Sequence, residues 1–174
     1  MIRTFAWLSA AALLAATGAA AQEKAAINDA QIAHIAYTAG QIDIDAAKQA
    51  LAKSKNTQVR AFAETMVRDH AAVNDKALAL VKKLGVTPAA NPTSQALSDQ
   101  AKATMQKLAT LDGPAFDKAY AENEVAYHRT VNGALDGTLI PGAKNGELKA
   151  LLQTGLALFR EHQTHAEHLS SELR

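Results

Sequence analysis

From Asn28 to the end of the chain, apolar residues return every three or four positions, with no run of the two-residue alternation that marks a half-buried strand. That rhythm confines the chain to packed helices. Asn28 or Asp29 caps a first helix that runs to Lys53 and carries Ile32, Ala36, Ala39, Ala46 and Ala50 on one face. Ser54-Lys55-Asn56-Thr57 is too short to do more than reverse the chain, so the second helix returns antiparallel, with Val59, Phe62, Met66, Val73, Ala77, Leu80 and Leu84 inward. Gly85 and Pro88 stop it. A polar crossover, 86–93, leads to a shorter helix capped by Ser94 and bearing Leu97, Ala101, Met105 and Leu108. Pro114 suits the first turn of a fourth helix that shows Phe116, Tyr120, Tyr127 and Val131 on one side and closes at Gly137. The last helix extends from Gly146 into Ser171 with Leu148, Leu152, Gly155, Phe159, Ala166 and Leu169. The expected fold is all-α: one bundle of four main helices with an additional short one.

The first residues are set apart from this pattern. Arg3 precedes an apolar run from Phe5 to Ala16, and Ala19-Ala20-Ala21 offers the small residues of a cleavage site, so 1–21 reads as a signal peptide and 22–174 as the bundle domain. The expected location is the periplasm, with secretion the other outcome of export. No second long apolar run follows, and no membrane span is expected in the mature chain. The sequence has no cysteine, so the fold must stand on its core without disulfides. Without Arg3 the positive and negative side chains balance and are interspersed, which argues against nucleic acid as a partner.

Three histidines interrupt the apolar seams. His70 and His162 hold core slots on the second and last helices, and His128 lies one step around the fourth helix beside Glu124. Asp43 takes the slot between Ala39 and Ala46 on the first. Residues four apart share a helix face, so Glu124 and His128 can chelate one ion together, and His162 and His165, three apart, can do the same. In a tight first hairpin, Asp43 and His70 differ in level by only about 3 Å at 1.5 Å rise per residue. For the second hairpin the same count leaves Glu124 and His162 roughly 6 Å apart in level and His128 about 6 Å further, with the connection 137–145 to absorb it.

Asp69-His70 within Phe62–His70, Glu124-Val125-Ala126-Tyr127-His128, and His162-Gln163-Thr164-His165-Ala166 resemble motifs of a bacterial exported family of unknown function. The resemblance spans about Asp29 to Leu169. It implies a ferritin-like four-helix bundle, and its members are often labelled outer membrane proteins, although this chain has no series of alternating ten-residue strands. Ferritin-like di-iron proteins use a glutamate on each of two helices and Glu-x-x-His on the other two. Here the spacings are Glu-x-x-x-His and His-x-x-His, so imidazole outnumbers carboxylate, a set suited to Zn, Cu or Ni at least as well as Fe.

Two readings follow. In the first, Glu124, His128, His162 and His70, with Asp43 and His165 behind them, bind a transition metal in the bundle core, and Asp69 orients an imidazole, in a protein that buffers or senses metal or meets oxidants during envelope stress. In the second, a non-catalytic structural or binding protein uses the same histidines in interhelical hydrogen bonds, His70 with Asp43 and His162 with Glu124. Catalysis is not the expectation under either, since there is no Gly-rich phosphate loop, no Gly-x-Ser-x-Gly and no cysteine nucleophile. His34 and His168 are read as solvated.

Overall fold

The computed structural model of the protein describes residues 27–173, so the proposed signal segment, 1–21, lies outside the described residues. The chain forms α1 (Asp29–Lys53), α2 (Thr57–Lys83), α3 (Pro92–Ala109), α4 (Gly113–Ala134), a π-helical turn (Leu135–Leu139), α5 (Ile140–Gly142, a single turn) and α6 (Gly146–Glu172). Among the described residues there is no strand. None of these helices is long and apolar enough to cross a membrane.

Asparagine begins four of these helices, because its short side-chain oxygen can accept from amides of the first turn that have no partner within the helix. Asn28 and Gln31 form a capping box on α1. Asn56 Oδ1 accepts from the Gln58 and Val59 amides at 2.9 and 3.3 Å, and Asn145 does the same for α6. The crossover is capped by Asn91 rather than by Ser94: Pro92 takes the first helical position, and Ser94 closes the box from the third by accepting from the Asn91 amide at 3.1 Å. At the far end of α2, Gly85 adopts φ +63, and the Val86 amide donates to the Val81 carbonyl at 2.9 Å, a Schellman stop. Asn56→Ala is expected to cost about 1 kcal/mol, read as a lower urea midpoint with an unchanged slope.

The fourth helix departs from its sequence reading in two respects. It does not close at Gly137 but runs on through the π-helical turn and α5 to Gly142. Its buried stripe is Phe116, Tyr120, Glu124, His128 and Asn132, four residues apart throughout, so Glu124 and His128 lie in the seam and not beside it. Tyr127 is half-buried and donates its hydroxyl to the Ala39 carbonyl at 2.8 Å.

α1 pairs with α2 and α4 with α6, and the two hairpins close around one interior. The apolar part of that interior falls into two regions. One gathers Ala47, Ala50, Phe62, Met66, Phe116, Tyr120 and Leu169, and the other Ile32, Ile35, Leu135, Leu139, Leu148, Leu152 and Phe159. Asp43, His70, Glu124, His128 and His162 form the buried polar layer between them. α3 packs outside this set, against α1, held by Gln49 Nε2 to the Met105 carbonyl at 3.0 Å and Lys53 Nζ to the Ala109 carbonyl at 2.9 Å.

Candidate metal centre

Each helix of the two hairpins contributes to the polar layer, and its register explains how. The α1–α2 connection is three residues, so Asp43 and His70 meet at the level the spacing predicts: Asp43 Oδ2 stands 3.4 Å from His70 Nε2. Because the fourth helix continues to Gly142, His128 lies 14 residues before its end, Glu124 lies 18 before it, and His162 lies 16 after the start of α6. The mismatch expected from a helix closing near Gly137 disappears, and His162 comes level with the interval between Glu124 and His128. The same Asp43 Oδ2 is 3.4 Å from His128 Nε2. Ring centroids of His70, His128 and His162 lie 5.3 to 5.7 Å apart.

Two of the imidazoles have their tautomers set by their partners. A backbone carbonyl can only accept, so His128 Nδ1 donates to the Glu124 carbonyl at 3.0 Å and Nε2 carries the lone pair. Asp69 is held below the usual carboxylate range: its partial burial works against this, but hydrogen bonds from Arg68 and His162 prevail. His162 Nε2 therefore donates to Asp69 Oδ2 at 3.0 Å and leaves Nδ1 as the lone pair. The expected pairing of His162 with Glu124 is thus replaced by one with Asp69. His70 bonds through neither nitrogen and is fixed by stacking on Phe159, centroids 4.5 Å apart and planes within 9°. Phe159 reads in the sequence only as core; its place three residues before His162 is the signal that it borders the cluster.

The result is a concentration of buried polar atoms without partners. Asp43 Oδ1 and Oδ2, His70 Nδ1 and Nε2, Glu124 Oε2, His128 Nε2 and His162 Nδ1 all lack a hydrogen-bond partner among the described residues. Two sets of three, His70 with His128 and His162, and Asp43 with Glu124 and His128, offer ligand atoms within 4.8 Å of one another. Burial pushes the Asp43 carboxyl up to about 8. Burial and then the Asp43 charge push Glu124 well above its ordinary value. Burial lowers His128 to about 4, against the Glu124 carbonyl, and lowers His70 to about 2, helped by His128 and His162. His162 is also lowered by burial, with Asp69 opposing. Alone, the cluster therefore favours neutral groups.

His165 does not join it. It is exposed and packs edge-on against Phe62 at 5.0 Å, because three residues on from His162 turns it off the Phe159–His162–Ala166–Leu169 seam. His168 is exposed, as its place in the sequence suggests, and His34 is half-buried.

A family model described as a domain of unknown function, DUF4142, matches residues 14–169. The chain belongs to the DUF4142 family. No curated protein matches this DUF4142 chain. Among solved structures it is similar to a DUF305 protein from Streptomyces coelicolor that is described as secreted, with a TM-score of 0.67 and 15% identity over 82% of this chain and 91% of that one. At that identity the likeness is one of fold. It places the DUF4142 bundle in an architecture that a distant chain also adopts.

Proposed function

We propose that this protein is an exported, ferritin-like helical bundle that binds one transition-metal ion at mid-bundle, where two buried trios, His70–His128–His162 and Asp43–Glu124–His128, share His128. The observation that carries the reading is the pair of 3.4 Å separations from Asp43 Oδ2 to His70 Nε2 and His128 Nε2. Such distances are long for a hydrogen bond, yet they match the edge of about 3.3 Å between ligands at 2.0–2.1 Å in a tetrahedral site. Five groups at this level hold buried polar atoms without a hydrogen-bond partner, and a cation bound in place of their protons satisfies them together. The outer partners fit as well, since His128 is oriented by a carbonyl and His162 by a carboxylate, as metal-bound imidazoles are. Imidazole nitrogens beside carboxylate oxygens favour Zn, Cu, Ni or Fe over Mg or Ca. The secretion described for the DUF305 protein supports export, and the periplasm is the location we infer.

Elemental analysis of the untagged mature protein, isolated without chelator, tests this. One equivalent of metal per chain is expected in the wild type and in His165→Ala, whose imidazole is outside the cluster. A metal-free protein that also takes up none of Fe, Zn, Cu or Ni on titration leaves the histidines as structure. The His162–Asp69 bond is the observation that favours this second reading.

A further inference from the structure

The polar layer has two unlike approaches. Between α1, α2, α4 and α6 it adjoins a cavity of about 70 Å³ whose walls include Ala36, Val73, Ala77, Leu152 and Phe159 and which touches Asp43, His70 and His128. On the side of α3 it adjoins a second cavity, of about 110 Å³, between α1, α3 and α4, which has Gln100, Thr104 and Asn123 on its walls and Asp43 and Glu124 at its inner end. Tyr127 borders both, and its hydroxyl is committed to the Ala39 carbonyl.

We propose that a divalent transition-metal ion reaches the carboxylate side of the cluster through the cavity beneath α3, where Gln100, Thr104 and Asn123 replace its water shell and Glu124 receives it and passes it to His128. The inference rests on the metal reading above and adds the route. A hydrated ion gives up water only where polar groups take its place, and the first cavity offers an almost wholly apolar wall before Asp43, His70 and His128 are met. The α3 side provides them in sequence: Gln100 is exposed, Thr104 and Asn123 are half-buried, and Glu124 is buried with Oε2 unpartnered. The seat of α3 agrees with this role. Its two buried residues, Ser94 and Leu108, lie toward opposite ends, so the helix is anchored at both and spans the cavity between. Glu124 also stands in the carboxylate-rich trio, one ligand away from the three imidazoles through the shared His128.

Stopped-flow uptake of Co²⁺, followed by its visible absorption, tests the route separately from the site. Ala101→Phe narrows the cavity from its α3 wall, and Gln100→Leu with Thr104→Leu removes the polar steps while leaving the core untouched. Ala77→Leu fills the apolar cavity instead. Both α3-side variants are expected to slow association and dissociation together by about tenfold or more, with equilibrium affinity little changed, while Ala77→Leu leaves the rates as in the wild type. Unaltered rates in both α3-side variants, or equal slowing by Ala77→Leu, would overturn the route while the site stands. A wild type that takes up neither Co²⁺ nor any of Fe, Zn, Cu or Ni at equilibrium removes the metal reading and the route with it.

Discussion

Exchanging Asp43 for asparagine is expected to separate metal binding from stability: affinity for Zn²⁺ or Co²⁺ falls by about a hundredfold or more, while the metal-free fold gains about 1–3 kcal/mol at pH 8. Asp43 is buried, and its carboxyl titrates near 8 instead of near 3.8. At pH 8 the unfolded chain ionises this group freely, whereas the native protein must hold the proton or bury the charge, a penalty of the order of a few kcal/mol. An amide is free of that penalty. Its Nδ2, placed where Oδ2 now stands, donates toward the lone pair of His128 at 3.4 Å and faces His70 at the same distance. For the ion the change is adverse, because the one carboxylate facing both imidazoles becomes a neutral group with donors turned toward the metal. Urea unfolding in chelator and metal titration of the same preparations read the two effects. A variant that loses stability yet binds as tightly as the wild type would remove Asp43 from the ligand set. His128→Ala serves as the reference for lost binding, since His128 belongs to both trios.

How much of this was legible in the sequence depends on whether local chemistry alone determines register. The three-residue turn between α1 and α2 leaves no slack, so counting residues from it brings Asp43 opposite His70. The other hairpin is governed by a π-helical turn, which accommodates one more residue per turn and lets the fourth helix pass Gly137 to reach Gly142. Gly137 and Pro141 are the residues that normally mark a helix end, and nothing in their spelling reveals that the helix continues. Ser94, three residues on from Asn91, is an equally good capping type, and Pro92 at the first helical position is the signal that selects Asn91. The His162–Asp69 bond was out of reach for another reason. Which of two adjacent polar residues, Asp69 or His70, faces the centre and which faces α6 is set by the packing of α2 against α6.

Metal-free protein is expected to lose stability as pH rises from about 6.5 to 8, and saturating Zn²⁺ is expected to abolish that loss. The sign follows from two opposed groups of residues. His70 and His128 titrate near 2 and 4 in the native state against 6.5 in the unfolded chain, so their contribution is complete above 6.5 and is lost as pH falls below it. Asp43, raised from 3.8 to about 8, contributes stability that is complete below about 4 and drains away as pH rises toward 8, and Glu124, raised well above its ordinary value, acts in the same direction. Below 6.5 the two trends oppose each other. Above it the histidines of the unfolded chain are already neutral, and only the carboxyls still act, each with a slope of up to about 1.4 kcal/mol per pH unit. A bound cation ionises these carboxyls within the native state, so the native and unfolded chains then hold the same protons and the slope vanishes. Binding near pH 7 accordingly releases up to about two protons per ion, measurable in weakly buffered solution with a pH indicator. Chemical denaturation at pH 6.5, 7.2 and 8, with chelator and with Zn²⁺, reads the other half. Identical slopes in the two series, together with no proton release, would mean that the carboxyls of Asp43 and Glu124 do not meet the ion, and would leave any bound metal to the three imidazoles alone.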